Sequence, residues 1–203
     1  MKNKISFKIF NISLCLGLIS AIFLSLASFN ASCEDLRENI LRLHIIANSD
    51  SNEDQSLKLK IRDEILNRSE DLFENATDIE TAIDIATDKT QEFCDIANEV
   101  IRENGYSYSV TAQIGDSYFE TREYEDFTLP AGFYKSLIIK VGKAEGKNWW
   151  CVIFPEICLP AAAKGDLTDT VNQSSAKIAK ENERYVMRFK VVEIYESIKK
   201  LIK

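Results

Sequence analysis

From Ile9 to Phe29 no charged residue interrupts a run that includes Leu14, Leu16, Leu18, Ile19, Ile22, Phe23, Leu24 and Leu26, and Lys2, Lys4 and Lys8 stand in front of it. A basic front end followed by an apolar stretch is the pattern of a secretory signal. At about 20 residues the stretch is also long enough to cross a bilayer as one helix. Two readings therefore stand: cleavage near Ala31 to Cys33, which is favoured, or retention as an anchor. A lipid on Cys33 is disfavoured, because Asn30 occupies the place where a lipobox has Leu. Either way the remainder of the chain is expected outside the cytoplasm.

Taking residues 1–33 as the signal or anchor leaves residues 34–203, a length that suits one domain with its own core. The segment removed holds three lysines and no acid, so the formal charge falls from −7 to −10. An acidic body of this kind does not grip nucleic acid, which needs a basic footprint. Nor does it adhere to anionic lipid through charge alone, so the membrane is met only through the N-terminal segment, if that is uncleaved. A protein partner or an uncharged ligand fits better.

Leu41, Leu43 and Ile45 alternate with Arg42, His44 and Ile46, the period of a strand. Asp50 or Ser51 then caps a helix predicted from Asn52 to Phe73, with Leu57, Ile61 and Ile65 inward and Lys58, Lys60 and Arg62 outward. A second cap at Thr77 or Asp78 opens one long helix whose apolar positions run from Ile79 through Ala86, Thr90 and Phe93 to Val100, stopped at Asn104-Gly105. Strands follow from Tyr106 to Gly115, from Tyr134 to Val141 and from Asn148 to Phe154, with a weaker edge strand or extended loop over Phe119 to Phe127. Ala161 to Ser175 reads as a mobile loop, and Tyr185 to Ile202 as a helix. The expected class is α+β: a single domain with a mostly antiparallel sheet, two N-terminal helices and a C-terminal helix packed on it.

Enzyme motifs are scarce. His44 is the single histidine, and a lone His alternating with core residues in a strand is most often a hydrogen-bonded structural residue. There is no GxSxG turn and no Asp-Thr-Gly or Asp-Ser-Gly. Asp50 to Asp54 resembles the opening of a calcium loop, but Gln55 stands where the turn needs Gly and Ile61 where the bidentate Glu belongs. Gly142 to Asn148 is one residue short of a phosphate loop and is read as a hairpin turn. With one His and no CxxC, a metal site is not expected, and no cofactor is called for. Cys151 and Cys158 bracket CVIFPEIC; a disulfide between them requires a reversal at Pro155, and two buried thiols fit equally well. Trp149 and Trp150 point to opposite faces of their strand. Helices on both sides would hide the pair, whereas one exposed indole beside Lys147 and Asn148 would make an interface anchor.

Three stretches carry a resemblance: LRLHIIANSDSNEDQSLKLKIRD at 41–63, LPAGFYKSLIIKVGKAEGKNWWCVIFPEICL at 129–159 and FKVVEIYE at 189–196. Together they are similar to the stage II sporulation protein R family of endospore-forming bacteria. The family pattern has a second proline where Glu156 stands and an acidic residue where Phe133 stands. The resemblance implies a non-enzymatic signalling protein, made in the forespore and exported into the intermembrane space of the sporulation septum. Its implied partner there is a membrane-embedded aspartic protease, the sigma-E factor processing peptidase, which it activates to process pro-sigma-E. The partner-binding surface is expected to combine His44, Asn48 and Asp50 with Lys147, Asn148, Trp149 and Trp150. The competing expectation is an exported cell-wall or peptide hydrolase that uses His44.

Overall fold

The computed structural model describes residues 2–73, 75–124, 127–155, 167 and 170–202. A first helix, α1 (Lys2–Glu38), runs without interruption through position 33. From Phe7 it is long and apolar enough to cross a membrane, and none of its most apolar window is buried. That helix is compatible with a signal or an anchor. Its far end is part of the folded body: Phe29, Cys33, Leu36 and Arg37 are all buried.

Strand β1 (Leu41–Ile46) follows, then helices α2 (Asn52–Phe73), α3 (Ile79–Asp88) and α4 (Thr90–Glu103). Strand β2 (Val110–Phe119) is succeeded by a short ribbon of β3 (Arg122–Glu123) and β4 (Thr128–Leu129). Strands β5 (Gly132–Val141) and β6 (Asn148–Phe154) come next, and α5 (Gln173–Lys180) and α6 (Asn182–Ile202) complete the chain.

The main sheet has the order β2-β5-β1-β6. Its β2–β5 and β1–β6 pairs are antiparallel, but the central β1–β5 pair is parallel, so the sheet is mixed where a mostly antiparallel one was expected. The three intervening helices supply the long crossover that a parallel neighbour requires. In register, Leu43 lies between Leu137 and Cys151, and Ile45 between Ile139 and Trp149. These side chains form one face with α2, α3 and α4 packed on it.

Ser51 is the cap of α2: its Oγ accepts from the Asp54 N–H at 3.1 Å. Leu57, Ile61 and Ile65 are buried as the spacing predicts. Lys58 is not on the outer face but only 4% exposed, for a reason given below. Asp78 caps α3, accepting from the Thr81 N–H at 2.8 Å. The single long helix expected from here to Val100 is two helices that part at Lys89. Thr90 Oγ1 donates to the carbonyls of Ala86 at 3.1 Å and Thr87 at 2.6 Å, competing with the backbone ladder at that point. The early helical region therefore holds three helices after β1 instead of two.

The C-terminal region likewise has two helices where one was expected. Asn172 caps α5, its Oδ1 accepting from the Ser175 N–H at 2.9 Å, so the end of the predicted 161–175 loop is helical. Most of that loop lies outside the described residues.

Candidate functional site

The loop Ala47 to Ser51 and the turn Gly142 to Lys147 are far apart in sequence and locked together in the fold. The Gly146 N–H donates to Ala47 O at 2.9 Å, and the Glu145 N–H to Asn48 O at 3.2 Å. Asn48 Oδ1 accepts from the Lys143 N–H at 3.0 Å, and Asp50 Oδ1 from the Lys147 N–H at 2.6 Å. Lys58 reaches over from α2 and donates to Lys147 O at 2.9 Å, which is why it is buried. Asp54 ties the loop from beneath, accepting from Asn48 Nδ2 at 2.8 Å and Ser49 Oγ at 2.6 Å. Burial works to raise the Asp54 pKa, but hydrogen bonds from Ser49, Asn48 and Tyr108 outweigh it and hold the carboxyl below its ordinary value.

Two glycines permit the close approach. Gly142 has φ +58°, and a Cβ there would sit 2.3 Å from Asn48 Oδ1. At Gly146 a Cβ would sit 2.2 Å from the Ser49 carbonyl oxygen. No local periodicity in the sequence points to these fastenings; the polar residues of ANSDS and the glycines of GKAEGK acquire their roles only when the two segments meet.

The seven residues proposed from sequence as a partner surface thus divide into three settings. Asn48 and Asp50 spend their side chains on the clamp, and Lys147 contributes its backbone while its side chain stays exposed. Trp149 lies on the helix-covered face, half-buried, with the Arg62 guanidinium 4.3 Å from its ring centre. His44, Asn148 and Trp150 meet on the opposite face. The two tryptophans do point to opposite sides, and each is half-buried.

On that second face His44 Nε2 is 2.9 Å from Asn148 Oδ1 and Nδ1 is 3.2 Å from Ser117 Oγ. An amide oxygen can only accept, so Nε2 carries the proton and Nδ1 accepts from the Ser117 hydroxyl. The imidazole meets Trp150 and Phe119 edge-on at 6.3 and 6.1 Å. Burial pushes the His44 pKa below its ordinary value; the Asn148 hydrogen bond opposes this, and the charges of Lys140 and Arg42 add to it. His44 is therefore neutral at neutral pH. Asn148 is exposed at the strand end, so the row runs from a half-buried indole to an accessible amide.

Next along β1, Arg42 is wholly buried. Its guanidinium lies 3.8 Å over Phe119 and 4.9 Å from Tyr134, and Nη2 donates to Tyr124 Oη at 2.6 Å. Among the described residues Nη1 has no hydrogen-bond partner. Nothing in the strand's period marked this residue, since a charged position in an alternating strand reads as solvent-facing.

Cys151 is disulfide-bonded; Cys158, the partner considered from sequence, lies outside the described residues. Cys15, Cys33 and Cys94 are free.

With the clamp and the His44 row in view, similarity to known proteins becomes informative. A family model described as stage II sporulation protein R matches residues 37–164, which contain every residue of both features. The chain belongs to the stage II sporulation protein R family. It is 35% identical over 129 residues to the stage II sporulation protein R of Bacillus subtilis (strain 168). That alignment covers 64% of this chain and spans 58% of the relative's length. No solved structure matches the chain. The clamp joins the two longest of the stretches that carry the resemblance, 41–63 and 129–159.

Proposed function

We propose that this chain is an exported signalling protein of sporulation that acts by binding. Its partner is the extracytoplasmic part of a membrane-embedded aspartic protease, the sigma-E factor processing peptidase, and it works in the intermembrane space of the sporulation septum. Binding favours the active state of the protease, which then processes pro-sigma-E. A binder shifts such an equilibrium only by its differential affinity for the two states. Moving the balance from mostly inactive to mostly active takes about 5.5 kcal/mol of that difference.

The observation that carries the reading is the family match over residues 37–164, joined to an apolar helix in front of it that is long enough to cross a membrane. Within the body, the accessible end of β6 is the preferred contact. Asn148 and the Lys147 side chain are exposed there, above the half-buried Trp150. Asn48 and Asp50 support this edge by pinning the turn beside it.

Reconstitution of the full chain with the protease in vesicles, reading cleavage of the sigma precursor, tests the activation. Asn148→Ala should abolish processing while secretion and the unfolding midpoint persist, and Trp150→Ala should abolish it while the chain is still secreted and folded, at a lowered midpoint because the indole packs on His44 and Phe119. Unchanged processing in both removes this edge from the reading. A second reading, an exported hydrolase, is favoured by one observation: Ser117, His44 and Asn148 are hydrogen-bonded in series. A Ser–His pair oriented by a third group is the arrangement of an activated nucleophile. Ser117→Ala separates the two, since the signalling reading expects retained processing and the hydrolase reading expects its loss.

A further inference from the structure

We propose that the corner where α5 turns into α6 is a second membrane contact: with α1 across a bilayer, this corner rests on the anionic headgroup layer around the point where α1 emerges. The height of the corner follows from α1. About 20 residues, 7–26, are enough to cross the hydrocarbon layer of about 30 Å. Phe29, three positions further, then stands about 5 Å beyond that layer, among the headgroups. Phe29 is also where the folded body begins: it is 2% exposed, stacks on Tyr185 and meets Phe189 edge-on.

Two helices bring the rest of the corner to the same level. At the start of α5 the Asn172 N–H donates to Asp35 Oδ2 at 3.0 Å, and near its end Ile178 is buried with Phe29 and Cys33. Helix α5 thus descends toward the bilayer as α1 rises from it. Helix α6 turns back and rises with α1, since Tyr185 and Phe189 touch Phe29 whereas Glu196 lies 3.7 Å from Arg37. The junction of α5 and α6 therefore faces the bilayer.

The chemistry of the corner suits that place. The chain carries a formal charge of −7, yet residues 177–190 hold five basic and two acidic residues. Lys177 and Lys180 are exposed at the end of α5. The Arg188 guanidinium lies over the rings of Phe29 and Tyr185, 5.9 and 5.5 Å from their centres. Tyrosine and cationic side chains beside a crossing helix are the groups that settle among headgroups, and clustered cations are drawn to anionic lipid. Next to them Val186 and Met187 are 53% and 80% exposed, apolar groups that the bilayer boundary would cover. Leu201, exposed on the same helix, stands about 21 Å above Met187, so the upper part of α6 has no share in the contact. The folded body then meets the membrane in addition to the N-terminal segment, through a local charge that the overall charge conceals. Held at two points, it is fixed in its rotation about α1. The corner lies outside residues 37–164, so the family match does not account for it. The inference does not depend on the protease reading, because its test contains no protease.

The test places the full chain, in a Cys15→Ser and Cys94→Ser background, in vesicles of phosphatidylcholine and phosphatidylglycerol in which some of the lipid carries a quencher on its headgroup. A fluorophore is attached to Met187→Cys or to Leu201→Cys, two exposed positions on one helix that differ in height. Emission from position 187 should be quenched by the labelled lipid, and emission from position 201 should be unchanged. The quenching at 187 should fall when phosphatidylcholine replaces phosphatidylglycerol, and also when Lys177→Glu is added, with the circular dichroism spectrum in place because position 177 is exposed. Absence of quenching at 187, as when a protein covers that face instead, overturns the inference. So does equal quenching at 187 and 201, and so does quenching at 187 that is indifferent to lipid charge or to Lys177→Glu.

Discussion

Strand β1 serves two faces of one sheet, and the two are held in different ways. Leu41, Leu43 and Ile45 enter a layer sealed by α2, α3 and α4, where apolar area supplies the stabilisation. Arg42 and His44, between them, enter a layer in which a buried guanidinium lies over Phe119 and a neutral imidazole is fixed by Ser117 and Asn148. The first face tolerates any residue of the right size and polarity. The second depends on where particular rings, hydroxyls and amides stand. The His44 row belongs to the second face, so specific geometry, with less apolar area behind it, is concentrated where the partner surface is proposed.

The largest expected effect separates the faces directly. Leu43→Ala should cost about 2–5 kcal/mol, the lost transfer of the side chain plus the cavity it leaves. Arg42→Met, of similar length and without a charge to bury, should change stability by less than about 1 kcal/mol, because removal of a desolvated cation offsets the lost ring contacts. Urea midpoints measure both. A loss at Arg42→Met as large as that at Leu43→Ala would make the guanidinium a principal anchor and erase the contrast.

A smaller effect is expected at the rim. Gly146→Ala brings a Cβ against the Ser49 carbonyl, so the turn must shift and give up its bonds to Ala47 and Asp50, at about 1–3 kcal/mol. Hydrogen exchange should accelerate at the Gly146 and Lys147 amides and stay unchanged in β5. The double variant with Asp50→Ala should cost less than the sum of the two singles, because both act on one fastening. Full additivity would mean that the loop and turn are held independently.

The smallest effect is the pH dependence of the second face. His44 has a folded pKa below its unfolded value, so the fold favours the neutral ring. Its contribution is complete above the unfolded pKa of about 6.5 and is lost as pH falls through the folded value. Between pH 7.5 and 5 the wild-type protein should lose more stability than His44→Gln does, read as the difference between their urea midpoints. Equal losses would place the acid sensitivity elsewhere.

What was legible in the sequence follows the same division. The apolar face was readable because it is periodic: Leu43 and Ile45 in a strand, Leu57, Ile61 and Ile65 in a helix, Ser51 as the cap. The opposite directions of Trp149 and Trp150 came from the same alternation. The break at Lys89 was hidden because Ala86, Thr90 and Phe93 keep the helical phase across it, and only the Thr90 hydroxyl marks the change. Helix α5 is eight residues long and its inward face is built from Ser175, Ala176, Ile178 and Ala179, too short and too small a set for the period to stand out. The parallel β1–β5 pairing belongs to strand order, which no local pattern carries. Asn48 and Asp50 were expected on a partner surface, whereas their side chains bond to Lys143 and Lys147 across more than 90 positions, and a strand-end polar residue looks the same whether it faces a partner or its own chain.

The apolar leader does not end where the body begins. Phe29 is stacked on Tyr185 and wedged against Phe189, and Cys33 is wholly enclosed beside them. A peptidase that severed the chain after Ala31 would pull the Phe29 plug and leave two aromatic rings facing an empty notch. Loss of the leader would thereby weaken the body itself, and a shortened form would carry a raw hydrophobic spot that the intact form keeps shut.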